Sequence, residues 1–203
     1  MRFSEAGSCS AVGGHHDDFD YFYSLPVGED GLRRLRPRIL HLPRGFRWTW
    51  AGQRFLACGG AGSIDRQWRT PGVSWWAEER IIESDVERCI GDGPADVLVS
   101  HDAPPEAPVV SGGLPWEIPP KVSAAPATSR RHLGAVVEAV RPRLVIHGHW
   151  HQHHISEMRS LADPKPAWLI IGLSEDESRW GNLAVLKPAR LVDNVRDAIS
   201  VVG

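Results

Sequence analysis

The sequence predicts an α/β fold in which amphipathic helices alternate with buried strands. Residues 77–100 have the pattern of an amphipathic helix followed by a short apolar strand, and residues 129–146 repeat that pattern. A histidine follows each strand, at His101 and in the loop that holds His149. Because loops at the carboxyl ends of parallel strands meet at one sheet edge, we expect these histidines to lie close together.

Length and composition indicate one ordinary globular domain. The chain has 203 residues, of which 42% are hydrophobic and 24% charged, enough to bury a sizeable core. The net charge of -2 argues against a general electrostatic field for nucleic acids. No apolar run reaches membrane-spanning length, and the N-terminus lacks the apolar core of a signal peptide. We therefore expect no membrane partner.

The cysteines argue against a disulfide framework and against a cysteine metal site. The chain has three, Cys9, Cys58 and Cys89, and no two of them have CxxC spacing. So sparse and odd a set fits a reducing compartment. A cytoplasmic location is therefore expected.

The domain is expected to occupy residues 12–190. Residues 1–11 are small and polar and predict a disordered lead-in, while residues 191–203 predict a tail or a short terminal helix. Inside the domain, residues 103–128 are rich in proline and glycine and predict a long loop. Ser129 is the predicted N-cap of the helix that follows this loop.

Short strands and tight turns are predicted elsewhere. Val12 and Gly13 are expected to end a strand, and residues 51–53 to turn a hairpin. The glycines within 59–62 predict a tight turn and not a phosphate loop, because no Gly-Lys-Ser/Thr follows them. The remaining predicted elements are a helix at 20–25 and strands at 38–42, 46–50, 54–58, 168–174 and 182–187, the last two as a closing hairpin.

A long polar and aromatic loop is predicted at residues 63–76, which include Asp65, Arg66 and Arg69. Such a loop either lines a pocket or packs as ordinary surface structure. The sequence leaves both interpretations open.

Histidines are concentrated after the last strand of the alternating region. Five of the ten histidines fall within the eight residues 147–154. His149 and His151 stand two apart after Gly148 and can converge on one metal ion, since neutral imidazole binds zinc, manganese and iron. The alternative is a solvated histidine-rich loop with no ligand.

Three motifs stand in a fixed order along the chain. Gly14-His15-His16-Asp17-Asp18 comes first, the strand of residues 97–100 with His101 second, and Gly148-His149-Trp150-His151 third. Together they resemble the last three motifs of the calcineurin-like metallophosphoesterases, here of a bacterial and phage type. The similarity extends from about Val12 to Leu186.

The resemblance implies roles for six residues and two divalent transition-metal ions, manganese, iron or zinc. His16 matches the catalytic histidine of the family, and Asp17 the acidic residue that orients it. His101 and His149 are expected to bind one metal and His151 the other. His15 stands where the family has a metal-binding asparagine and is expected to bind metal through a ring nitrogen. The alternative is that His15 turns away and the site loses a ligand. The implied fold is a four-layer arrangement, a two-sheet sandwich flanked by helices.

The chain departs from the family pattern by lacking Asp-x-His and Gly-Asp-x-x-Asp before Gly14. In the family these motifs supply the remaining ligands of the first metal and the bridging carboxylate. Asp65 and Asp102 do not stand in the context needed to replace them. The chain therefore resembles the C-terminal two-thirds of such an enzyme, so we expect an incomplete sandwich and a complementing chain or homo-oligomer as possible partners.

The leading functional prediction is metal-dependent phosphoester hydrolysis, weak or lost in this form. The runner-up is a non-catalytic metal-binding or interaction module on the same histidine loops, and a third alternative is a histidine-rich fold with no metal. The substrate class stays open among nucleotides, nucleic acids, protein phosphates and lipid phosphates.

Overall fold

A computed structural model of the chain describes residues 9–109, 120–158, 168–175 and 177–202. These residues form a mixed α/β structure with three sheets and three α-helices. The helices are α1 (Phe19–Ser24), α2 (Glu83–Ile90) and α3 (Pro120–Val140). The strands are β1 (Cys9–Val12), β2 (Arg33–Arg36), β3 (Ile39–Leu42), β4 (Arg47–Trp50), β5 (Gln53–Cys58), β6 (Val97–Ser100), β7 (Leu144–His147), β8 (His154–Met158), β9 (Trp168–Gly172), β10 (Leu183–Leu186) and β11 (Ile199–Val202).

The largest sheet has six strands in the order β4-β5-β6-β7-β9-β8. Its four inner strands are parallel, and the outer strands β4 and β8 run antiparallel to their neighbours. The carboxyl ends of β5, β6 and β7 therefore meet at one edge. This confirms the predicted helix–strand alternation and places the loops after β6 and β7 side by side.

Both faces of the six-stranded sheet are covered, which explains why its inner strands are almost continuously apolar. Leu98 and Val145 face α2 and α3 in one buried cluster. Val97 and Leu144, their neighbours along the strands, face a second cluster that includes Leu191 and residues of β10 and β11. Because successive side chains of a strand point to opposite faces of the sheet, the same strands contribute to both clusters.

The predicted hairpin at residues 46–58 is confirmed as β4 and β5, with Trp50 paired to Gln53. Ala51 and Gly52 at its tip both have positive φ, 49° and 79°. Two left-handed residues in a two-residue loop match the right-handed twist of the flanking strands.

A three-stranded sheet, β1-β3-β2, packs beside the end of β5. The junction is a backbone contact: the Gly60 N–H donates to the Gly13 carbonyl at 2.7 Å. A Cβ at Gly59 would come within 2.7 Å of the Gly13 backbone. The absence of a side chain at Gly59 therefore lets the two sheets join where β1 and β5 end.

The N-terminal half of the chain differs from the prediction at two places. β1 begins at Cys9, inside the predicted lead-in 1–11, because it pairs in parallel with β3; residues 1–8 of that lead-in lie outside the described residues. The predicted helix 77–90 is a short 3-10 turn, Ala77–Glu79, followed by α2. The break between them lets Ile81 extend into the core at 1% exposure, while Asp85 caps the Ile82 N–H at 3.1 Å.

The predicted loop 103–128 is wrong over its last part. α3 begins at Pro120 and continues through Pro126; residues 110–119 lie outside the described residues. Ser129 is not a cap, because it lies inside the helix and its hydroxyl accepts the Ile81 N–H at 3.3 Å. Packing against neighbouring segments, including a backbone approach by Gly62, overrides the weak local propensity here.

The C-terminal segment also differs from the prediction. The predicted strands 168–174 and 182–187 exist as β9 and β10, but they do not pair as a closing hairpin. β9 lies between β7 and β8, whereas β10 pairs antiparallel with β11. The segment 191–203 was predicted as a tail or helix, but its described residues, 191–202, contribute the strand β11 and a fully buried Leu191.

None of the helices in the described ranges is both long and apolar enough to cross a bilayer.

The close approach of Gly62 to α3 gives a test of this packing. A Cβ at Gly62 would lie 2.6 Å from the Pro126 nitrogen and 2.7 Å from the Ala125 carbonyl carbon. We expect Gly62→Ala to lower the free energy of unfolding by about 1–3 kcal/mol, because helix backbone must move. Gly91→Ala is the matched control, since its nearest atom would be 3.4 Å away, and should change that free energy by less than about 0.5 kcal/mol. Equal effects of the two substitutions in urea unfolding would contradict the packing.

Candidate metal centre

Three histidines converge from three strand ends. His101 follows β6, His149 follows β7, and His15 follows β1 after two glycines. The Gly14 backbone passes so close to His101 that a Cβ there would lie 3.2 Å from the imidazole Cε1. The missing side chain at Gly14 thus lets the β1 loop cross over the β6 loop.

His15 Nδ1 is within hydrogen-bonding distance of a ring nitrogen of each of the other two histidines, and the ligand atoms of all three lie within 4.8 Å of one another. His15 Nδ1 lies 2.9 Å from His101 Nε2 and 3.1 Å from His149 Nδ1. The ring centroids of His101 and His149 are 5.0 Å apart. A single point between the three rings is therefore within reach of one nitrogen from each.

Burial keeps these imidazoles neutral. Burial first, and then the nearby His101, His16 and Arg69, lower the pKa of His15 to about 2. Burial, followed by neighbouring histidines, lowers the pKa of His101 to about 4 and also depresses the pKa of His149. Neutral imidazole is the form that binds metals.

The donor set fits one divalent transition-metal ion. A tetrahedral ion with nitrogens at about 2.0–2.1 Å would place those nitrogens roughly 3.3–3.4 Å apart, close to the 2.9 and 3.1 Å found here. Both contacts use His15 Nδ1, which carries either one proton or one lone pair and so can make a full hydrogen bond to only one of the other two rings. A cation at their centre would satisfy the lone pairs that converge there.

The histidine loop after β7 has a strained backbone. His149 and His151 have φ values of 66° and 55°, a left-handed conformation that costs a residue with a Cβ about 1 kcal/mol or more. The Gly148 N–H donates to the His101 carbonyl at 3.2 Å and so ties this loop to the β6 loop. This strain is what turns the His149 ring back towards His15.

Asp102 is the buried support beneath the two loops. It is fully buried, and its Oδ1 accepts the Trp150 Nε1–H at 3.0 Å and the Ala103 N–H at 2.8 Å. The Arg130 guanidinium lies 5.0 Å over the Trp150 ring. Burial raises the pKa of Asp102 to about 7 against these hydrogen bonds and Arg130. Asp102 follows His101 and Trp150 follows His149, so the hydrogen bond between Asp102 and Trp150 links the two loops that carry these histidines.

Arg69 supports His15 from the opposite side. Its guanidinium donates to the His15 carbonyl at 2.8 Å and to the buried Glu79 carboxylate at 3.2 Å. Glu79 also accepts the Trp75 Nε1–H at 2.8 Å and the Ser63 N–H at 3.0 Å. The 63–76 loop, for which pocket wall and packed surface were both open, packs inward at Trp75 and holds the His15 loop. It also forms part of a wall, because Ser63, Arg66, Gln67 and Trp75 line a cavity of about 590 Å³.

His16 turns outward from the cluster. Its side chain is 64% exposed, and its Nε2 lies 4.0 Å from Asp65 Oδ2. The Asp17 carboxylate accepts a short hydrogen bond from the Gly14 N–H, and so stabilises the loop. The predicted role of Asp17 in orienting His16 stays a prediction, with Asp65 as a second carboxylate within reach.

His151 stands apart from the three convergent nitrogens. Its side chain is 63% exposed and its Nδ1 lies 3.5 Å from Glu175 Oε2. It is close enough for its charge to contribute to the lowered pKa of His15, His101 and His149. The described residues thus group His15 with His101 and His149, and leave His151 at the rim as the predicted ligand of another metal.

Part of the histidine tract is structural. His147 is 1% exposed, and its Nε2 lies 3.0 Å from His154 Nε2. His153 Nδ1 contacts the Gly172 carbonyl at 2.9 Å. These three histidines brace β7, β8 and β9 against each other, so the tract is not one uniform metal-binding loop.

Comparisons with known proteins assign no family: a scan against protein-family models gave no match, and a search of curated protein sequences gave none either. Any functional proposal therefore rests on the geometry of the histidines and on the resemblance of the motifs that carry them.

Asp65 and Arg69 are neighbours of the histidine cluster that the sequence did not predict. Both lie fifty or so residues from His15 along the chain, in a loop without periodicity. The sequence offered one indication of their role: an aspartate and an arginine stand four residues apart, shortly after the glycines at the end of β5. In the structure they form an ion pair at 3.6 Å.

Metal content should depend on the three clustered histidines. We expect the purified chain, after dialysis against zinc or manganese and then buffer, to retain about one ion, and the double variant His101→Ala with His149→Ala to retain almost none. Elemental analysis measures both. His153→Ala is the control from the same tract and should retain the ion. Equal metal content in the wild type and the double variant would rule out this centre.

Without metal, stability should fall on acidification. His15, His41, His101 and His147 have lowered pKa values, of about 2 for the first and about 4 for the others. The unfolded chain, with histidine pKa near 6.5, therefore binds more protons as pH falls from about 6.5 towards 4. The lowered pKa values of His149 and His154 act in the same direction. Asp102 and Glu79 oppose this, because their raised pKa values remove stability as pH rises, for Asp102 from about 4 to 7. Six histidines outweigh two carboxyl groups, so urea unfolding in chelator should show lower stability at pH 5 than at pH 7.5. Constant or rising stability on acidification would be the contrary result.

Proposed function

We propose that this chain is a metal-dependent phosphoester hydrolase whose centre is built from His15, His101 and His149. The observation that carries the proposal is the convergence of three neutral imidazoles from three strand ends, of which His15 is buried and His101 and His149 are partly buried. The resemblance of the surrounding motifs to the calcineurin-like metallophosphoesterases gives the reaction class. It also gives the finer fold expectation, an incomplete two-sheet sandwich flanked by helices.

Each protein group has a definite task in this proposal. A divalent transition ion, when bound, offsets charge on a phosphoryl group and makes water a better nucleophile at neutral pH. The three imidazoles hold that ion, and His15 keeps its place because Arg69 holds its carbonyl. Trp150 and Asp102 fix the relative position of the loops that carry His101 and His149.

His16 is the group proposed to act on the leaving oxygen. It follows His15 directly, is open to solvent, and has Asp65 within 4.0 Å of its Nε2. A solvent-facing imidazole beside a carboxylate can deliver a proton to an alkoxide as it departs. His16 would thus serve the chemistry, whereas the buried His15 serves the metal.

The second candidate function is a non-catalytic metal-binding module. Its supporting observation is that the cluster of His15, His101 and His149 contains no carboxylate, and that Asp65 belongs to a separate group with His15 and His16. A two-metal clamp needs a bridging ligand between its ions, and a single ion on the three histidines cannot hold the attacking and leaving oxygens in that way.

Turnover with added metal separates the two functions. With manganese and bis-nitrophenyl phosphate, the phosphoesterase proposal predicts hydrolysis that chelator abolishes and that His149→Ala removes. Retained metal with no hydrolysis above that of the double variant His101→Ala with His149→Ala would favour the binding module.

The role of His16 can be tested with two leaving groups. A general acid contributes about 100- to 10,000-fold to rate, but a nitrophenolate leaves without needing the proton. We expect His16→Asn to slow hydrolysis of an alkyl phosphoester much more than that of a nitrophenyl one. Metal content and melting temperature should stay nearly unchanged, because the His16 side chain is 64% exposed. Equal losses on both substrates would instead assign His16 to binding the phosphate.

A further inference from the structure

A cavity of about 490 Å³ lies beside the three-stranded sheet. Its wall includes Gly13, two residues before His15, so it adjoins the loop that carries His15. This volume falls in the range of small-molecule sites. None of the three convergent histidines lines it.

The cavity wall is cationic. It includes the guanidinium groups of Arg33, Arg44 and Arg88 and one carboxylate, Asp85, so its net charge is +2. Asp85 is already held by Arg44 and Arg88, each at 2.9 Å. Positive charge therefore remains in excess around the cavity.

Two buried polar atoms on this wall lack a hydrogen-bond partner among the described residues: Arg33 Nε and His41 Nδ1. The two residues are directly paired across β2 and β3, so their side chains share one face of the sheet. His41 is only 6% exposed. Leaving buried polar atoms unpaired is unfavourable, and unpaired atoms in residues that line a cavity point to a ligand that completes their hydrogen bonding.

Aromatic rings form the rest of the wall. Phe19, Tyr23 and Phe46 all line the cavity. Tyr23 is 51% exposed, and the Arg33 guanidinium lies 5.3 Å from the centre of its ring. Rings and guanidinium planes together provide flat surfaces on which a planar group can stack.

We propose that this cavity binds a small organic phosphate that carries a planar ring, the chemistry of a mononucleotide. The dianionic phosphate matches the excess charge of +2 and accepts hydrogen bonds from Arg33 and His41. The ring stacks against Tyr23 and Phe46. This binding does not depend on the metal centre, so it stands or falls separately from the proposed hydrolase activity.

The test is direct binding by calorimetry in the presence of chelator, which prevents phosphate from binding through a metal ion. The probes are adenosine monophosphate, adenosine and inorganic phosphate. We expect the monophosphate to bind at least about tenfold more tightly than either fragment, because it alone offers both the charge and the ring. Equal affinity for adenosine and its monophosphate, or no saturation by the monophosphate below millimolar concentration, would overturn the proposal.

Matched variants assign the binding to this cavity. Arg33→Ala should weaken monophosphate binding about 10- to 100-fold, the effect of losing a charge-assisted hydrogen bond. Arg34→Ala is the control, since the next side chain on β2 is exposed and paired with Asp30 at 3.0 Å; its affinity should stay within about twofold. Equal affinities of the Arg33 and Arg34 variants would place any binding elsewhere and refute the proposal.

His41→Phe separates ligand binding from folding. The substitution keeps a ring in contact with Phe22, whose centre is 4.7 Å away, and removes the unpaired nitrogen. We expect weaker monophosphate binding with a melting temperature equal to or above that of the wild type. Unchanged binding by this variant, when its melting temperature shows it to be folded, would contradict a role for His41.

Discussion

The contact between the ends of β1 and β5 is the constraint on which the candidate site depends. The Gly60 N–H donates to the Gly13 carbonyl at 2.7 Å, and Gly59 packs against the same backbone with no room for a Cβ. This contact joins a small sheet to the six-stranded one and carries the His15 loop over the loops after β6 and β7. Without it, His101 and His149 would still be neighbours, but the third nitrogen would be absent.

The electrostatics of the cluster follow from this joining of loops. Burial and mutual proximity depress the pKa of each of the three histidines. The three rings are therefore neutral and present nitrogen lone pairs to a metal ion. The left-handed backbone at His149 and His151 costs stability that the neighbouring hydrogen bonds of Asp102 and Arg69 offset. Strain and buried polar contacts concentrated at one place are typical of functional sites.

The sequence predicted what depends on local pattern. Apolar periodicity indicated β5 to β7 and the helices between them, and strand order then placed His101 beside His149. It could not predict contacts fixed by tertiary packing, such as Asp65 near His16 or the inward-facing Glu79. The early start of α3 was also not predictable, because Pro126 favoured a loop there. Nor was the pairing of β10 with β11, because neither segment alone indicates its partner.

X-ray absorption spectroscopy of the zinc-loaded protein tests most directly whether one centre is built from three loops. We expect three imidazole nitrogens bound to zinc at about 2.0–2.1 Å, and two in His15→Ala. Zinc bound to no imidazole, or to the same number of imidazoles in His15→Ala, would contradict this account.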